Sequence, residues 1–152
     1  MKTRLYVLMH PLFDKYSGGL ISKSGSKHYR HNLKNLLIRS DSKVLVCESK
    51  CDIEETKSFV VKTNPKLEVL FIETKFSEST PVEGWENLFK MVEQVDPLEI
   101  IVGGANLSGD EESGYGECVG NLYYCLRQQF CQIRIDLSLC FPCKDADARH
   151  LP

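Results

Sequence analysis

No stretch of this 152-residue chain approaches the roughly 20 consecutive apolar residues needed to cross a bilayer. The formal charge of −2 has no large excess of either sign, so the electrostatic footprint of a nucleic-acid or anionic-membrane binder is missing. Both common nucleotide fingerprints are missing as well. There is no G-x-x-x-x-G-K-[ST], and no G-x-G-x-x-G follows the first apolar run. Internal repeats, low-complexity segments and linkers are absent, so one domain is expected. The apolar run after Met1-Lys2-Thr3-Arg4 is cut by His10-Pro11, too early for a secretory signal core and without a small-residue cleavage site. The seven cysteines are therefore expected as reduced thiols in a cytoplasmic protein.

What is present is an alternation of two periods. Arg4 to Met9 is nearly all apolar, as in a strand buried on both faces. Residues 11–26 read as a loop with Gly18-Gly19. A helix from about Ser26 to Ser40 follows, with Tyr29, Leu33, Leu36 and Leu37 on one face. Lys43 to Cys47 is a second strand. Asp52 and Glu55 form a capping-box pattern before a helix that Asn64-Pro65 ends. Leu67 to Ile72 is a third strand, and 73–79 a loop. Thr80-Pro81-Val82-Glu83 reads as a helix start, with threonine as cap, proline at the first helical position and glutamate closing the box. Trp85, Leu88, Phe89, Val92 and Val95 then form a stripe that Asp96-Pro97 stops. Leu98 to Val102 is a fourth strand, ending at Gly103-Gly104. A polar loop runs from Ala105 to Gly114, a helix begins near Tyr115, and Gln132 to Leu139 is the fifth strand.

Strands alternating with helices predict a three-layer α/β/α sandwich, Rossmann-like in the broad sense, with a mainly parallel five-stranded sheet. The domain spans 1–143 and a polar tail spans 144–152. In such sheets ligands sit outside the carboxyl ends of the strands. That edge receives His10 and Asp14 after strand one, Cys47, Glu48 and Cys51 after strand two, Glu73 and Lys75 after strand three, and Gly103, Gly104 and Asn106 after strand four. Cys118 opens the last helix, where the positive end of the helix dipole lowers a thiol pKa. It also falls in step with Leu122 and Cys125, the pattern of a packed core thiol. Gly116, with Gly103, Gly104 and Asn106, completes the candidate ligand-binding positions, where backbone N–H groups can face an anion.

Lys75 after the third strand, a strand closing in Gly103-Gly104, and Cys118-Val119 at a helix start together resemble the isochorismatase-like cysteine hydrolases, a family that includes nicotinamidases and related amidases. The resemblance covers about the last two-thirds of the chain. It implies Cys118 as nucleophile and Lys75 as its charged partner, acting on a small molecule without a cofactor. It also implies a cis peptide in the connection before the cysteine and an aspartate at the end of the first strand. That last position holds His10 here, with Asp14 further on, and the connection from Gly104 to Cys118 is longer than the family's. His10 or Asp14 is then the expected proton carrier.

Two other readings stand beside it. A noncatalytic ligand-binding or interaction domain would keep the pocket without the chemistry. A zinc-stabilised domain would use Cys47, Cys51, Cys140 and Cys143, spaced C-x-x-x-C and C-x-x-C. His28 and His31 on the first helix read as surface imidazoles. The acidic run Asp110-Glu111-Glu112 reads as loop decoration. Self-association is expected from the open edge of the sheet, which must be covered or paired; nucleic-acid and membrane partners are not.

Overall fold

A computed structural model describes residues 3–16, 23–39, 41–77 and 80–142. The strands are β1 (Arg4–Met9), β2 (Lys43–Glu48), β3 (Val69–Glu73), β4 (Lys75–Ser77), β5 (Thr80–Glu83), β6 (Glu99–Asp110), β7 (Gly114–Gly116) and β8 (Ile133–Pro142). The helices are α1 (Lys23–Arg39), α2 (Ile53–Thr63), α3 (Trp85–Val95) and α4 (Glu117–Arg127), with a 3-10 turn at Phe13–Tyr16.

The main sheet has six strands in the order β3-β2-β1-β6-β7, with β8 also paired to β6. Every pair among β1, β2, β3, β6 and β8 is parallel; only the β6–β7 hairpin is antiparallel. The architecture is α/β, consistent with a three-layer Rossmann-like sandwich. Its layers follow from the period of two along each strand. Leu5, Val7 and Met9 of β1 face one way, with Leu45, Cys47, Ile100 and Val102, and meet Leu88 and Val92 of α3 and Val119, Leu122 and Leu126 of α4. Leu8 faces the other way, with Val44 and Val46, and meets Tyr29, Leu33, Leu36 and Leu37 of α1 and Val60 of α2. Both faces are covered, which is why β1 and β2 read as continuous apolar runs.

The chain leaves β1 toward β2 and β3, then returns to the other side of β1 as β6. The ends of β1 and β6 therefore flank the point where the winding reverses, where an open parallel sheet forms a crevice.

Several local expectations are corrected. Thr80-Pro81-Val82-Glu83 does not start a helix. It is β5, antiparallel to β4, with Ser77 opposite Thr80 and Lys75 opposite Glu83. A proline is tolerated in a two-stranded ribbon because it has an unpaired edge. The helix starts at Trp85 behind Gly84, whose φ of +97° makes the corner. A Cβ there would lie 2.8 Å from the Glu73 carbonyl oxygen. Asp52 precedes α2 but makes no capping bond; its carboxylate accepts from Ser49 Oγ at 3.2 Å instead. The expected loop after Gly104 continues as strand through Asp110 and returns as β7, which adds the sixth strand, and α4 begins at Glu117 rather than Tyr115. The loop expected at 11–26 contains the 3-10 turn, and α1 already begins at Lys23. Gly18-Gly19, Cys143 and the tail 144–152 lie outside the described residues.

Candidate functional site at the carboxyl edge

The row that closes the apolar interior at this edge is Ile72, Cys47, Met9, Gly104 and Cys140, side by side across β3, β2, β1, β6 and β8. Gly104 is required by this packing. At φ +114°, a Cβ would stand 2.1 Å from the Met9 carbonyl oxygen. Gly103 and Gly104 both lie buried within β6 rather than in a loop. Their lack of side chains is accounted for by contact with neighbouring strands.

His10 is the first residue beyond that row and is buried. Its N–H donates to the Cys47 carbonyl at 2.8 Å, and its ring stacks on Phe13 with centroids 4.6 Å apart. Burial pushes its pKa down to about 4, while the nearby Asp52 carboxylate and a hydrogen bond with the Ala105 backbone pull the other way. The imidazole is therefore neutral at pH 7 and a weak base.

Asp14 is buried as well. Arg30 Nε reaches its two carboxylate oxygens at 3.0 and 2.9 Å, Arg30 Nη2 reaches Oδ1 at 2.5 Å, and Ser26 Oγ donates to Oδ2 at 2.8 Å. A carboxylate gripped in this way is occupied.

Glu48 ends β2 and is 1% exposed. Thr56 Oγ1 of α2 donates to Oε2 at 2.8 Å and the Ser49 N–H to Oε1 at 2.9 Å. Its carbonyl accepts the Thr74 N–H at 2.8 Å, which ties the start of the β4–β5 ribbon to the end of β2. Lys75 follows as the first residue of β4 and is exposed. The ribbon partner β5 packs against α4.

Cys118 is the second residue of α4 and is 5% exposed, within the apolar cluster that includes Met9, Leu107, Val119 and Leu122. Gly116 is the N-cap of α4 in extended conformation, and a Cβ there would meet Ser108 Oγ at 2.7 Å. Asn106 follows the sheet edge on β6, and its Oδ1 is buried with no hydrogen-bond partner among the described residues. The peptide between Ala105 and Asn106 is cis.

The fold thus delivers His10, Lys75, Asn106 and Cys118 to one edge and assigns Asp14 to an internal ion pair. The residues that sequence reasoning missed are Ser26 and Arg30 on α1, which grip Asp14, Tyr29 on α1, which holds the Pro11 carbonyl, and Thr56 on α2, which holds Glu48. The only trace of Arg30 is its place four residues after Ser26, on the same side of the helix.

Of the four cysteines read as a zinc set, Cys47 and Cys140 do not come together, and Cys143 lies outside the described residues. Cys47 and Cys140 share a row, but β1 and β6 stand between them, so three strand spacings separate them by roughly 14 Å. Zinc–sulfur bonds are about 2.3 Å. Burial pushes both thiols up, Cys47 to about 12 and Cys140 well above its ordinary value, so neither is a ready thiolate. Among the described residues no group of three or more His, Cys, Asp or Glu side chains could hold a metal ion. His28 and His31 are exposed on α1. Asp110 accepts from the Ser113 N–H at 2.7 Å and closes the hairpin turn. Among the described residues no helix is long and apolar enough to cross a membrane.

Comparison of the chain with family models, with curated proteins and with solved structures finds no match in any of the three.

Proposed function

We propose that this chain is a small-molecule hydrolase of the isochorismatase-like kind, with Cys118 as nucleophile. Cys118 as thiolate attacks the carbonyl carbon of an amide-type substrate. The amine leaves with a proton, and water then cleaves the thioester to release the acid and restore the thiol. Lys75 holds the thiolate or the developing charge, and His10 carries the proton. The observation that supports this reading is topological. The ends of β1 and β6, the ribbon that starts at Lys75 and the first turn of α4 all reach one edge, at the reversal of winding. Asn106 adds a buried acceptor there for a ligand N–H.

A second reading, a ligand-binding or interaction domain without catalysis, is favoured by a specific observation. Asp14 is committed to Arg30, and a histidine of pKa about 4 is a poor acceptor for the proton of a thiol near 8.5.

The test is the pH dependence of Cys118 alkylation by iodoacetamide, resolved by peptide mass spectrometry. The hydrolase reading expects a midpoint well below 8.5, raised in Lys75→Ala. A Cys118 that stays unreactive in the folded protein sinks that reading and leaves the binding domain.

A further inference from the structure

The turn after β1 is gripped from outside by one face of α1. The chain leaves the sheet at His10, and the Phe13 N–H returns to the His10 carbonyl at 3.0 Å. Ser26, Tyr29 and Arg30, spaced to share one side of the helix, then hold the next residues. The Tyr29 hydroxyl donates to the Pro11 carbonyl at 2.5 Å. Arg30 Nη2 donates to the Leu12 carbonyl at 3.4 Å and, with Nε, grips the Asp14 carboxylate, which also accepts from Ser26. The guanidinium lies 5.7 Å from the centroid of the Phe59 ring of α2. A planar guanidinium against a carboxylate sets direction as well as distance.

Docking α1 on the sheet does not need these polar contacts. Tyr29, Leu33, Leu36 and Leu37 already bury its apolar stripe. The polar grips all fall on residues 11–14, which run from just after His10 into the 3-10 turn. That segment carries Phe13, whose ring covers one face of the imidazole.

We propose that Arg30 and Tyr29 are positioning residues for His10, holding the 11–14 turn so that the imidazole stays seated between Phe13 and the Ala105 backbone. This rests on the reading of His10 as part of the site. Asp14, by the same argument, serves as the anchor of the turn and not as a base.

The test is the histidine ring titration of the full chain by NMR, with the His10 signal assigned by its loss in His10→Gln. The wild-type midpoint is expected near 4, set by burial against the opposing pull of Asp52. In both Arg30→Met and Tyr29→Phe it should rise by about one unit or more toward 6.5 as water reaches the ring. Tyr29→Phe changes no charge, so a rise there reports lost seating rather than a removed cation. A folded Tyr29→Phe with the wild-type midpoint overturns the proposal, whatever Arg30→Met does. If Arg30→Met fails to fold, Tyr29→Phe decides alone. The readout does not involve Cys118, so an unreactive thiol would overturn the hydrolase reading and leave this result standing.

Discussion

The two edges of the sheet handle charge in opposite ways. At the amino edge, Glu99 bridges Arg4 at 3.3 Å and Arg134 at 2.9 Å across β1, β6 and β8, with all three side chains part-exposed to water. Clefts open there, one of them lined by Thr3, Asp41, Lys43, Leu67 and Leu70. At the carboxyl edge two carboxylates and an imidazole are taken inside, while Glu73 and Lys75 stay exposed. Asp14 and Glu48 are buried and held by specific donors, and His10 is kept neutral by burial. Water screens the first kind of contact and leaves it worth little. The second kind is costly to disturb, because removing one partner leaves a polar group in a medium that cannot solvate it. An edge that pays for buried polar groups in this way is where a site is expected, and the contrast can be tested from both ends.

The largest effect is expected at the carboxyl edge from Gly104→Ala. Its Cβ would overlap the Met9 backbone at a φ that side chains avoid, costing about 4 kcal/mol or more. A urea midpoint close to wild type would show that β1 and β6 can separate, and the tight row described above would be wrong. Next comes Arg30→Met, which leaves the Asp14 carboxylate buried without its cation; about 3 kcal/mol should be lost in the same assay. Asp14→Asn in the Arg30→Met background should restore part of that loss.

The His10 effect follows from linkage. Its folded pKa is below its unfolded one, so the unfolded chain binds more protons between pH 6.5 and about 4. Stability is full above 6.5 and falls as pH falls through that window, by about 2.5 kcal/mol between pH 7 and 4.5. His10→Gln should flatten that part of the profile, and an unchanged slope would place the titration elsewhere. Thr56→Val removes the hydroxyl donor to Glu48 Oε2 and should cost about 2 kcal/mol. Glu99→Gln, at the amino edge, should cost about 0.5 kcal/mol, and less in high salt. Should it cost as much as Arg30→Met, the contrast between the edges would collapse.

Much of the fold was legible because it is written in local patterns. The run Arg4 to Met9 announces a strand covered on both faces, and the Trp85–Val95 stripe announces a helix with one buried side. The failures were local signals overruled by pairing. Thr80-Pro81-Val82-Glu83 has the residues of a helix cap, but pairing with Lys75–Ser77 makes it a strand. Ala105 to Asp110 has the composition of a loop, yet β8 and β7 pair along it. At the candidate site, the positions of His10 after a strand and of Cys118 at a helix start were legible. The occupation of Asp14 was not, because its partner stands sixteen residues away on a helix whose rotation about its own axis no spacing argument sets.

The alternation of strands and helices, the apolar faces that must be buried, and the polar residues that a parallel sheet sends to one edge can all be read from the order of residues alone. Those follow from short-range periodicity, which each segment carries alone. That β6 returns beside β1, that Cys47 and Cys140 stand three strand spacings apart, and that Arg30 claims Asp14 emerge only when the chain is packed. Those outcomes depend on which surfaces meet, and a contact between distant segments is set by the packing of the whole chain.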